Sequence, residues 1–172
     1  MHVVVATDGQ LAVDDVVAFA APLAGEDTVT VLTAVVIPRN LLTDLRTIFG
    51  EQAPIQIDAD AEYVGSDSRV GSGPTGWPGD DAIIERYLGD KRIERCKPIT
   101  DALKAQGIEA SSLAIEGTNA AKVILEYIDT DNPGAVITGT HGQGLFEGLL
   151  GSTSTRVARH AKCAVILIRT GH

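Results

Sequence analysis

Four short runs of this 172-residue chain are built almost wholly from apolar and β-branched residues: His2–Thr7 (HVVVAT), Thr28–Ile37 (TVTVLTAVVI), Ala135–Gly139 (AVITG) and Cys163–Arg169 (CAVILIR). A strand with one wet face alternates apolar and polar residues. Continuous β-branched runs belong instead to strands covered on both faces. Between them the apolar period turns helical. Leu11, Val13, Val16, Val17, Ala20 and Leu23 precede a stop at Gly25, and Ile83, Ile84, Tyr87, Leu88, Ile93, Ile99 and Leu103 continue the pattern later. A weaker strand (IEASSLAIEG) follows, then a helix (TNAAKVILEYID) with Thr118 expected as its N-cap, and a last helix (STSTRVARHA). The order β-α-β-excursion-α-β-α-β-α-β predicts an α/β fold: a doubly wound, five-stranded parallel sheet in a Rossmann-like sandwich, for which the strand order 3-2-1-4-5 is expected.

Aromatic residues are only 4% of the chain, so its core must be built from Val, Ile, Leu and Ala, as suits such a sheet. The length fits one domain over residues 1–172. One segment breaks the pattern: Gly50–Asp81 is rich in Gly, Pro, Ser and Asp, with weak alternation at Ile55 and Ile57 and the single tryptophan, Trp77. It reads as a surface excursion that could hold a hairpin, with Trp77 as a packing anchor or a stacking surface. The preceding PRNLLTDLRTIFG fits a short helix, and Gly89 and Pro98 are expected to bend or divide the helix after the excursion.

Acidic residues outnumber basic ones 23 to 14, a formal net charge of −9. Such a surface repels nucleic acids and anionic membranes, so neither is expected as a partner. No apolar window approaches 18 residues, and Asp8 interrupts an N-terminal run too short for a signal peptide; the expected location is the cytoplasm. Cys96 and Cys163 form no CxxC pair and read as reduced thiols. The four histidines show no metal-ligand spacing.

Two loops carry the chemistry. In an open doubly wound sheet, ligands bind beyond the carboxyl ends of the strands where the strand order reverses. The loop ATDGQ follows the first strand and GTHGQGLFEGLLGST follows the fourth; the order 3-2-1-4-5 brings both to that point. Glycines let backbone N–H groups approach a phosphate, and a helix N-terminus adds free donors. Ser152 and Thr153 suit either a phosphate or a helix cap. Asp8 suits either a ligand or a turn. The chain has no GxxxxGK[ST], no GxGxxG after its first strand, no HExxH and no GxSxG. Arg156, Arg159, Lys162 and Arg169 face a single acid, Glu147, between Gln143 and His172. They form either an anion-facing patch or a solvated helix face.

Gly139-Thr140-His141-Gly142, then Gly151-Ser152 and the sequel GSTSTRVARHAKCAVILIR, resemble the universal stress protein family, whose nucleotide-binding members carry G-x2-G-x9-G-[ST]. VVVATDG is similar to the family's opening strand, and the likeness covers residues 1–37 and about 80–172. It implies an adenine nucleotide, ATP with or without Mg²⁺, bound between the loops after strands 1 and 4. Ala6, Thr7 and Asp8 would lie near the ribose and adenine, and Ala34 and Val35 against the adenine. Gly139, Thr140, Gly142, Gly151, Ser152 and Thr153 would hold the phosphates. Similar proteins form homodimers by antiparallel pairing of the last strand, here Cys163–Arg169. Two departures stand out. Eight residues rather than nine separate Gly142 from Gly151, and Gln10 stands where serine is common.

Three functional classes follow. The favoured one is a nucleotide-binding regulatory protein of the stress-response type. Its alternative is a dimeric interaction module that has lost nucleotide binding through the shortened loop. A slow ATPase comes third: its only loop candidates, His141 and Glu147, stand in no recognisable catalytic constellation.

Overall fold

The computed structural model describes residues 1–38, 40–44, 80–140 and 150–169. The chain divides into two compact units, Met1–Ile37 with Tyr87–His172, and Pro38–Arg86. In the first unit, five parallel strands form one sheet in the order β3-β2-β1-β4-β5. They are β1 (Val3–Ala6), β2 (Val29–Val35), β3 (Ala110–Glu116), β4 (Ala135–Gly139) and β5 (Ala164–Ile168). The helices are α1 (Val13–Ala24), α2 (Asp80–Ala105), α3 (Ala120–Asp131) and α4 (Ser152–His160). The expected fold and strand order are both present.

The pleat explains the continuous apolar runs. Val3, Val5, Val29, Val31 and Ile137 turn to one face, where they pack with Val16, Val17 and Ala20 of α1 and Cys96, Ile99 and Leu103 of α2. Val4, Ala6, Leu32 and Val136 turn to the other, against Ala121, Ile124 and Ile128 of α3 and Val157 of α4. Crossovers of one hand put α1 and α2 on one side while the chain winds from β1 to β3. They put α3 and α4 on the other after it reverses. The reversal lies between β1 and β4, which are neighbours in register from Val3–Ala135 to Ala6–Thr138.

Local signals mostly hold. Gly25 stops α1 at φ +61°, its N–H donating to the Ala21 carbonyl at 3.0 Å. Two expectations are corrected. The N-cap of α3 is Asn119, not Thr118: the Asn119 side chain accepts from the Lys122 N–H at 3.1 Å. Gly117 donates to the Val35 carbonyl at 3.0 Å, which carries the β3 edge one residue further and moves the cap along. Nor do Gly89 and Pro98 divide α2, which is one helix of 26 residues. A helix-interior proline costs about 3 kcal/mol. Ile99 and Leu103, 2% and 0% exposed, each stabilise by roughly 1.5–3 kcal/mol on burial, so packing on the sheet outweighs the lost bond.

In the second unit the described residues 40–44 make a single helical turn. The Asp44 N–H donates to the Asn40 carbonyl at 2.8 Å, and Asn40 Nδ2 donates to Asp44 Oδ2 at 3.0 Å. The rest of the expected short helix, the hairpin around Ile55 and Ile57, and Trp77 lie outside the described residues.

Candidate functional site

Where β1 and β4 part company, a cleft enclosing about 130 Å³ opens at the carboxyl ends of the strands. It is lined by Ala6, Thr7, Asp8, Ala34, Gly139 and Thr153. All six were singled out from sequence. Leu32, Thr138, Ala120, Ile124 and Ser154 complete the wall, and these five sequence reasoning missed. Ala120 and Ile124 were legible as an i, i+4 pair on the sheet-facing side of α3. Small side chains at positions 6, 34 and 120 leave the space open, and Leu32 and Ile124 give it an apolar floor.

The turn after β1 is built from its own side chains. Thr7 Oγ1 accepts from the Gly9 N–H at 2.9 Å, and Asp8 Oδ1 accepts from the Gln10 N–H at 3.1 Å. Gly9 sits at φ +93°, a conformation that side chains rarely adopt. So Asp8 is a turn residue and a wall of the cleft at once. Its Oδ1 fixes the turn, while Oδ2 has no protein partner among the described residues.

On the other side, the Gly151 N–H donates to the Thr140 carbonyl at 2.7 Å, and the Thr140 N–H donates to the Ile168 carbonyl at 2.8 Å. The two ends of the glycine-rich loop are therefore joined directly and tied to β5. Gly151 is the N-cap of α4 and no side chain caps that helix. The hydroxyls that bind locally are Ser154's, 3.0 Å from the Gly151 carbonyl oxygen and 2.9 Å from that of Thr140, and Thr155's, 3.5 Å from that of Leu150. Ser152 and Thr153 thus do not serve as caps. Their hydroxyls have no protein partner among the described residues, and the N–H groups of the first helical turn lack intrahelical acceptors.

Val35 is 1% exposed and lies one step along the pleat from Ala34, so its side chain turns away from the cleft. Gly142, His141 and Glu147 lie outside the described residues. Ser152 belongs to an adjoining groove between α3 and α4, lined also by Asn119, Thr155, Arg156, Arg159 and His160, which meets the cleft at Thr153.

Neither cysteine belongs to this site. Burial pushes the Cys96 thiol up to about 11, and burial also raises Cys163. Among the described residues, no group of three or more His, Cys, Asp and Glu side chains could hold a metal ion, and no helix is long and apolar enough to cross a membrane.

The model of the universal stress protein family matches residues 1–169. Solved structures of similar fold include a universal stress protein family protein from Arabidopsis thaliana with AMP bound. It is 13% identical, with 99% of this chain and 92% of that one covered and a TM-score of 0.57. A universal stress protein in complex with cAMP is 20% identical, covering 99% and 98%, with a TM-score of 0.53. The universal stress protein UspA from Lactobacillus plantarum is 17% identical, covering 98% and 97%, with a TM-score of 0.54. No curated protein matches the sequence.

Proposed function

Because the chain belongs to the universal stress protein family, we propose that it is a regulatory protein of the stress response that binds an adenine nucleotide, ATP, in the cleft between the loops after β1 and β4. The observation that carries this reading is the convergence of Asp8, Ala34, Gly139 and Thr153 on one apolar-floored cleft at the reversal of the sheet. Its small volume suits a base and part of a sugar, with the phosphates lying toward α4. The free oxygen of Asp8 would accept from ribose hydroxyls. Ser152, Thr153 and the open N–H groups of the first turn of α4 would donate to phosphate oxygens. The AMP and cAMP bound by structural neighbours support an adenine nucleotide here. Mg²⁺ would come with the phosphates, since it keeps several waters and takes few protein ligands. The hydroxyls of Ser152 and Thr153 would be available to it as protein oxygens.

The same reading makes the protein a cytoplasmic homodimer. Among the described residues β5 pairs with β4 alone, and an unpaired apolar edge invites a second copy.

Binding to the folded state raises stability, by about 2.7 kcal/mol at a ligand concentration of 100 Kd. Melting of the purified protein should therefore rise by several degrees in millimolar Mg-ATP, and nucleotide should be recovered from a denatured sample. No shift and no nucleotide would instead favour the dimeric interaction module with its shortened loop.

A further inference from the structure

We propose that the groove between α3 and α4 is an anion subsite that continues the cleft and takes the distal phosphates of a polyphosphorylated nucleotide. This inference rests on the nucleotide reading of the cleft. The groove encloses about 470 Å³, within the ~300–1,000 Å³ of small-molecule sites. It is more than three times the size of the cleft it joins.

Its chemistry is one-sided. Ser152, Thr155, Arg156, Arg159 and His160 occupy positions i, i+3, i+4, i+7 and i+8 of α4, a single helical stripe. All five line the groove, facing Asn119 and Ala121 of α3. Among the described residues no carboxylate lines it. Arg156 and Arg159 have no acidic partner among the described residues, although the chain carries a net charge of −9. The nearby carboxylates of α3 are engaged elsewhere: Glu126 faces Lys122 at 3.6 Å, Asp129 pairs with Lys162 at 2.9 Å, and Asp131 pairs with His2 at 2.9 Å.

The two chambers are also ordered by charge. The one acid among the described lining residues, Asp8, stands at the end of β1 in the cleft, and the arginines stand along α4 in the groove. Thr153 lines both. A nucleotide with its sugar at Asp8 would have its phosphate chain leave past Thr153 toward Arg156. From Ser152 to Arg159 the stripe runs about 10 Å at 1.5 Å per residue, so a longer phosphate chain meets more of it. Arginine holds phosphate oxygens in a bidentate fork. The groove therefore reads how many phosphates the ligand carries.

The test is a titration series of AMP, ADP, ATP and adenosine tetraphosphate against the full chain and the double variant Arg156→Gln/Arg159→Gln. Both side chains are exposed, and an unchanged melting temperature without ligand would verify folding. Affinity should climb along the series in the wild type, by about tenfold per arginine engaged, and flatten in the variant. AMP should bind both forms alike. An equally steep series in the variant would overturn the subsite while leaving the nucleotide reading intact. If no nucleotide binds, the nucleotide reading fails and inorganic tripolyphosphate alone decides the groove. Salt-sensitive binding abolished in the variant sustains it, and absent or unchanged binding overturns it.

Discussion

The Ser154 hydroxyl lies 2.9 Å from the Thr140 carbonyl oxygen, joining the first turn of α4 to the end of β4 across the base of the glycine-rich loop. The residue is 3% exposed, so the contact is shielded from water. Ser154→Ala removes the donor but leaves the Thr140 carbonyl its bond from the Gly151 N–H. The expected loss is about 1 kcal/mol, or roughly 2–4 °C in Tm for a chain of this size, with several-fold weaker nucleotide binding. Ser152→Ala should leave Tm unchanged and weaken ATP binding alone, because the Ser152 hydroxyl has no protein partner among the described residues. Thermal melts with and without Mg-ATP separate the two.

Gly117 and Val123 form a second pair. A Cβ at Gly117 would stand 2.3 Å from Val123 Cγ2, closer than packing allows, and a β-branched side chain in a helix has little freedom to turn aside. Gly117→Ala should cost about 1–3 kcal/mol. Val123→Ala alone should also destabilise, since Val123 is 7% exposed. The double variant should be more stable than the sum of the two losses predicts. Additive denaturant midpoints would show that the helix shifts instead.

Most of the fold was legible because a strand buried on both faces is built from apolar and β-branched residues: Val3–Ala6 is wholly apolar, and Val29–Val35 admits only Thr30 and Thr33, whose hydroxyls are hydrogen-bonded to His2 and Arg95. Crossover handedness then favoured a doubly wound sheet, but it did not by itself select the order 3-2-1-4-5 over other doubly wound orders. What was not legible depended on helix phase or competing local bonds. Thr118 and Asn119 are both good caps, and only the Gly117 bond to Val35 decides between them. Gly89 and Pro98 were expected to bend or divide α2, and the burial of Ile99 and Leu103 keeps it one helix. Ser154 was overlooked among four consecutive hydroxyl residues, although counting back three from the apolar Val157 places it on the buried side of α4. For the site, sequence named six wall residues but could not tell Ala34 from Val35, which the pleat sends to opposite faces.

The Cys96 thiol is held at about 11 by burial, against an ordinary value of 9.0. Because the folded form keeps its proton where the unfolded form has lost it, its contribution is complete below pH 9. It falls away between pH 9 and 11. Two pKa units correspond to at most about 2.7 kcal/mol. Stability measured by denaturant should therefore decline over that window in the wild type and less steeply in Cys96→Ala, which itself starts lower by the lost packing. In native protein at pH 8, an alkylating reagent should modify Cys163 before Cys96, and Cys96 only on unfolding.

The outer edge of β5 provides the test of dimerisation. The Ala164 N–H donates to the Gly134 carbonyl at 3.3 Å, and the Ile168 carbonyl accepts from the Thr140 N–H at 2.8 Å. Even-numbered residues of β5 therefore turn their main chain to β4, and Val165 and Leu167 turn theirs to the open edge. Proline is tolerated only where the missing N–H faces outward. Leu167→Pro should then remove an edge donor without touching the β4 ladder, giving a folded monomer by analytical ultracentrifugation with a modest fall in Tm. Ile166→Pro, one residue away, should break the ladder and unfold the chain. A Leu167→Pro protein that still sediments as a dimer would place the interface elsewhere than β5.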